Sequence, residues 1–208
     1  PENNSISTGQ VLQCPYDAEK ARLVVKEMAD LLVLDIVEKK LVTDQIVLTI
    51  GYDVENLNNA EREKEYSGEV TTDRYGRKIP KHAHGTANIG RYTSSTRLIV
   101  DATMKLYDEI INKKLLIRRI NISANRLIPE SEASENTAPK QLDIFTDYEE
   151  DERQKQAAEA EFEREKRLQN TIISLKKKFG KNTILKGMNF EEGATAKDRN
   201  QQIGGHKA

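Results

Sequence analysis

Apolar positions along residues 5–127 switch between helical and alternating spacing, and each switch predicts a new element. A short extended segment around Gln10, Val11 and Leu12 leads to Asp17, whose carboxylate suits a helix N-cap. From there to about Lys39, the residues Ala21, Val24, Val25, Met28, Leu31, Leu32 and Ile36 recur three and four apart and form the broad apolar face of a core helix. Residues 45–50 are rich in β-branched side chains and predict a short, well-buried strand ending at Gly51. Residues 56–66 are dense in Asn and Glu and read as a loop or a poorly packed turn. Asp73, Arg74, Tyr75 and Gly76 have turn chemistry, and residues 82–91 predict a strand of alternating small side chains. Thr93, Ser94 and Ser95 then cap a second helix to about Asn112, with Ile99, Ala102, Leu106 and Ile110 at helical spacing. In the last strand, residues 117–127, Ile120, Ile122 and Ala124 face one way and Arg119, Asn121, Ser123 and Asn125 the other.

This order predicts an α+β domain, a small sheet covered on one face by two helices, with the polar alternation on an open opposite face. The remainder divides into an entry linker (1–4), a linker (128–148), a charged helix (149–180) and a flexible tail (181–208). The charged helix lacks breakers and is crowded with Glu, Lys, Arg, Gln and Ala. Only its second half carries an apolar stripe, Leu168, Ile172, Leu175 and Phe179, which needs a surface to pack on; Gly180 stops it. The tail holds few large apolar residues, so independent folding is not expected.

Composition changes this picture in one place. The chain of 208 residues has a formal net charge of -1, but between Arg74 and Arg126 twelve basic residues face three acidic ones, 12 - 3 = +9. A polyanion is the natural partner of such a segment. Cys14 is the only cysteine, which excludes an intrachain disulfide. No run approaches the roughly 18 to 20 apolar residues that span a bilayer, and residues 1–4 do not read as a signal peptide, so a cytoplasmic location is expected. The opening at Pro1 rather than Met reads as a piece cut from a longer protein.

Candidate chemistry is non-catalytic. His82 and His84 would share one strand face, but no third ligand stands at a familiar spacing, and no phosphate loop, nucleophile elbow or dinucleotide fingerprint is present. In the linker, Gln141, Leu142, Asp143, Ile144 and Phe145 match the short peptide by which DNA polymerases grip the sliding clamp. Two large apolar side chains beside an upstream aliphatic can fill a partner's pocket, and Gln141 can both donate and accept hydrogen bonds.

Three further stretches carry a family resemblance: SISTGQVL from Ser5, GRYTSSTRLI from Gly90 and KLLIRRINISA from Lys114. With them the chain resembles the C-terminal part of Y-family, UmuC/DinB-type translesion DNA polymerases of the Gram-positive bacterial type, and the end of the chain, KNTILKGMN and QIGGH, looks like the same C-terminus. The resemblance makes residues 5–127 a little finger domain that follows the primer-template backbone, with a clamp-binding peptide after it. The palm and its metal-binding carboxylates have no counterpart here. The implied role is therefore the DNA-gripping and clamp-binding portion of an error-prone lesion-bypass polymerase of the SOS response, a nucleotidyltransferase whose magnesium belongs to the parent protein and not to this chain. Expected DNA contacts are Arg74, Arg77, Lys78, Lys81, Arg91, Thr93, Ser94, Ser95, Arg118 and Arg119. Alternation puts Arg118 and Arg119 on opposite faces unless a bulge changes the register. The competing reading is a non-catalytic RNA-binding or partner-docking module; the first is disfavoured because the outer positions of the last strand carry no aromatic for base stacking, the second because the apolar stripe of the charged helix is too short for a stable coiled coil.

Overall fold

The computed structural model describes residues 4–133, 148–203 and 206–207. Its centre is an antiparallel sheet in the order β1 (Ile6–Tyr16), β6 (Ile117–Asn125), β2 (Leu41–Tyr52), β5 (Ala83–Thr93), and α1 (Ala18–Glu38) and α4 (Thr96–Ile110) cover one face. Between β2 and β5 lie α2 (Glu55–Asn58), α3 (Ala60–Glu65) and the hairpin β3 (Val70–Thr72) and β4 (Lys78–Pro80). After β6, β7 (Ile128–Pro129) pairs with the start of β2 and runs into α5 (Glu130–Ala133).

The helices begin and end where local chemistry dictates. Asp17 Oδ1 accepts from Lys20 N at 2.8 Å, and Ser95 Oγ accepts from Leu98 N at 3.4 Å, each meeting a first-turn donor that has no carbonyl partner. The face of α1 that meets the sheet is closed by Val24, Val25, Met28, Ala29, Val33 and Ile36, all fully buried. Under them lie Ile46, Leu48 and Ile50 of β2 and Ile120, Ile122 and Ala124 of β6, at every second position as a one-sided sheet requires. Gly85 lets α4 come close, because a Cβ there would stand 2.8 Å from Ile110 Cγ2 and Leu106 Cδ1.

Several expectations change. The first strand is 11 residues long, not a short segment. β2 is not buried on both faces: Val47 and Thr49 are only half-buried because they lie on the open side. Residues 56–66 are two short helices, and Asn56 is fully buried. Its amide donates to Asp53 O at 2.9 Å and Leu116 O at 2.8 Å, and its Oδ1 accepts from Leu116 N at 2.8 Å, replacing ladder bonds where β2 and β6 diverge.

The helix expected over 149–180 is α6 (Tyr148–Phe179), ended by Gly180 with φ +100. The stripe read from sequence meets the domain only in part, through the half-buried Ile172 and Leu175. Leu168 and Phe179 are 60% and 59% exposed, whereas Gln169 is buried and Phe162, Glu165, Ile172, Ile173 and Lys176 are half-buried. Burial holds the Lys176 amine below its ordinary value. Beyond α6, the stretch expected as a tail without a core of its own lies on α1 through a 3-10 turn (Gly187–Phe190) and α7 (Ala196–Arg199). Glu27 is the anchor, 1% exposed, accepting from Asn189 Nδ2 at 2.7 Å, Thr195 N at 2.8 Å and Ala196 N at 3.0 Å. Lys186 pairs with Asp30 beside it.

Candidate nucleic-acid interface

The open face of the sheet is polar and weakly self-bonded. From β1 it presents Ser7, Gly9 and Val11, from β2 Gln45, Thr49 and Gly51, from β5 His84, Thr86 and Asn88, and from β6 Arg119, Asn121, Ser123 and Asn125. Short cross-strand bonds order part of it: Gln45 Nε2 donates to Asn88 Oδ1 at 2.9 Å, and Thr49 Oγ1 and His84 Nδ1 stand 2.9 Å apart.

A β-bulge settles which arginine of the last strand reaches this face. Arg119 pairs with Gly51 and Val11, but the next partners, Tyr52 and Tyr16, pair with Ile117, so Arg118 is the extra residue. Ile117 and Ile120 therefore both turn inward, and Arg118 and Arg119 line the same hollow of about 620 Å³ on the open side. Arg118 is steadied by Gln13 O, which accepts from Nη1 at 3.0 Å, and by Asp53 at 3.7 Å from Nε. Arg119 is exposed and makes no side-chain hydrogen bond or ion pair among the described residues.

The far wall of the hollow is the β3–β4 hairpin, which brings Arg74, Tyr75 and Arg77 to it. Asp73 organises the turn. Its N–H donates to Arg77 O at 2.9 Å, its Oδ1 accepts from Tyr75 N and Arg77 N at 2.8 and 3.0 Å, and its Oδ2 accepts from Arg77 Nε at 2.8 Å. Gly76 adopts φ +78, open to glycine without strain. Burial would raise the Asp73 carboxyl, but the Arg77 guanidinium and the two backbone donors outweigh it and hold the group below its ordinary value. The hollow thus carries four guanidinium groups against the carboxylates of Asp53 and Asp73, 4 - 2 = +2. Such a surface donates to phosphate oxygens without reading bases.

The other expected contacts are dispersed. Lys78 is exposed on β4 and Lys81 pairs with Glu69 at 2.7 Å. Arg91 is exposed near the end of β5, away from the hollow and without a side-chain partner among the described residues. Thr93, Ser94 and Ser95 are buried, at 4%, 3% and 3% exposure. The Thr93 hydroxyl accepts from Ser95 N at 3.0 Å, and α6 lies over Ser94 and Ser95. Glu165 Oε2 accepts from Ser95 Oγ at 2.7 Å and Oε1 from Arg97 N at 3.2 Å, while Gln169 Nε2 donates to Ser94 O at 2.9 Å. A carboxylate from the same chain thus occupies the N-terminus of α4. Residues 141–145 lie outside the described residues. Sequence reasoning missed Tyr75, Asp53 and Thr49 at the hollow; the turn chemistry of residues 73–76 was the available signal for the first.

Residues 3–144 match the model of the impB/mucB/samB family C-terminal domain, more than two thirds of the chain. No curated protein matches. Among solved structures, a chain from a complex of the beta-clamp processivity factor and the little finger domain of PolIV is similar, at 8% identity and a TM-score of 0.39, covering 69% of this chain and 100% of that one. The family model alone spans both covering helices, the whole sheet and the hairpin beside the hollow, and on that match this chain belongs to the impB/mucB/samB family of Y-family polymerases, with its C-terminal domain over residues 3–144.

Proposed function

We propose that residues 5–127 grip primer-template DNA by its backbone and that Gln141, Leu142, Asp143, Ile144 and Phe145 tie the protein to a sliding clamp, as parts of a lesion-bypass polymerase of the Gram-positive type. The observation that carries the DNA half is the hollow on the open face, where Arg118 and Arg119, brought to one side by the bulge, stand opposite Arg74 and Arg77. Guanidinium groups suit this task because each offers several fixed donors and keeps its charge at any working pH. Family membership supports the same reading, and the clamp half rests on the peptide itself. Magnesium and the transfer chemistry belong, on this reading, to carboxylates outside these residues.

Titrating a labelled primer-template at several salt concentrations tests the DNA half. Neutralising phosphates releases counterions, so affinity should fall steeply with salt, with a logarithmic slope of roughly -0.9 per phosphate contacted. The double change Arg118→Ala and Arg119→Ala should flatten the slope by about 2. Affinity that ignores salt, or that follows base sequence instead, overturns the proposal.

A further inference from the structure

We propose that Tyr75 at the tip of the β3–β4 hairpin is a stacking platform for an unpaired DNA base, so that the domain prefers a primer-template junction with a single-stranded overhang to a blunt duplex. The inference rests on the DNA-binding reading above and adds a residue and a substrate form to it. Tyr75 is 65% exposed, the more exposed of the two large hydrophobic side chains, Val11 and Tyr75, that stand out into solvent at the hollow, although a phenol ring held in water gains nothing for the fold. The turn that carries the ring is nonetheless ordered, since Asp73 closes it through both its backbone and its carboxylate and also pins Arg77.

The two guanidinium groups beside the ring differ in a way that fits an incoming base. The Arg74 carbon Cζ lies 4.7 Å from the ring centroid and that of Arg77 5.2 Å. Arg77 is committed to Asp73, but the one side-chain hydrogen bond of Arg74 among the described residues goes to Tyr75 Oη at 2.5 Å. An exposed cation–π contact is weak, so Arg74 can leave the ring for a phosphate while a base takes its place. Bases inside a duplex are already stacked on one another and offer only their edges, so an aromatic face selects bases that have lost their neighbours. The hairpin forms one wall of the basic hollow, so its ring and the arginines can act on one ligand.

Fluorescence anisotropy of the full chain with labelled DNA separates the possibilities. Three ligands share one duplex: a blunt end, a single-stranded template overhang, and the same overhang made of abasic sugars. Wild type should bind the overhang best and treat the abasic form like the blunt duplex. Tyr75→Ala should lose about tenfold on the overhang and stay within about twofold on the other two, whereas Tyr75→Phe should keep the preference. Equal loss by Tyr75→Ala on all three ligands, or no loss on the overhang, overturns the stacking role while leaving backbone gripping intact. Failure of wild type to bind even the blunt duplex overturns the DNA reading itself and this inference with it.

Discussion

Tyr107 spans the gap between the two covering helices with one hydrogen bond, its phenol donating to Ala18 O at 2.7 Å while only 1% of the residue is exposed. Burial pushes the phenol above its ordinary value, so it stays a neutral donor through the working range. Tyr107→Phe keeps the ring packing and removes only this bond, which should cost about 1 kcal/mol. A thermal melt should register that as a fall of roughly 2–4 °C for a chain of this size. An unchanged melting temperature would show that the bond contributes nothing net. Residues of this kind mark the limit of reading a sequence. Asp17 could be assigned as a cap because its partner lies three residues away. Asn56 looked like loop filler because the backbone groups it satisfies at Leu116 are 60 residues distant, and composition says nothing about such a meeting.

Among the elements, the two helices on the sheet and the outward alternation of β6 were legible because burial on one side leaves a period that survives in the sequence. The face of α6 was legible only in part, because polar groups share the surface it meets. Ile173 packs on the core, but Gln169 reaches the backbone of Ser94 and Glu165 the start of α4, hydrogen bonds that an apolar stripe does not announce. The segment after α6 depends on Glu27 in the same way. In Glu27→Gln the amide keeps one acceptor oxygen and turns an N–H toward donors, so the two backbone N–H groups of Thr195 and Ala196 lose part of their partner. Limited trypsin digestion should then cut after Lys186 and Lys197 about tenfold faster, as a loss of roughly 1.4 kcal/mol in local stability requires, while the sheet domain stays intact. An unchanged cleavage rate would mean that Glu27 does not hold this segment down.

For the molecule as a whole, the +9 counted along residues 74–126 overstates what a partner meets, because folding draws in carboxylates from outside that window. Asp44 pairs with Arg126, Asp53 with Arg118, Glu69 with Lys81 and Asp73 with Arg77, leaving Arg119 and Arg91 as exposed guanidiniums without side-chain partners among the described residues. Sequence windows see charge in one dimension, and the four guanidinium groups of the hollow come from two segments some 40 residues apart. The proposed clamp contact is tested at this scale as well. Ile144→Ala and Phe145→Ala together should abolish heat release against purified clamp in calorimetry, with DNA affinity and melting temperature nearly unchanged. Equal clamp affinity in both proteins would remove the tether from the account, and a lowered melting temperature would assign the two side chains to a core instead.

The ion pair between Glu130 of α5 and Lys166 of α6, at 2.6 Å, turns the chain between them into a loop fastened at both ends. A clamp gripping residues 141–145 would consequently be on a short leash. Phe145 precedes Tyr148 by three residues, no more than about 10 Å of extended chain. From Tyr148, α6 runs 14 residues to Phe162, the first of its described side chains to be half-buried, which at 1.5 Å per residue is about 21 Å of rod. Helix length, more than slack in the chain, would then set the stand-off between the ring and the DNA-gripping face, and lengthening α6 would move one away from the other as a boom moves its load.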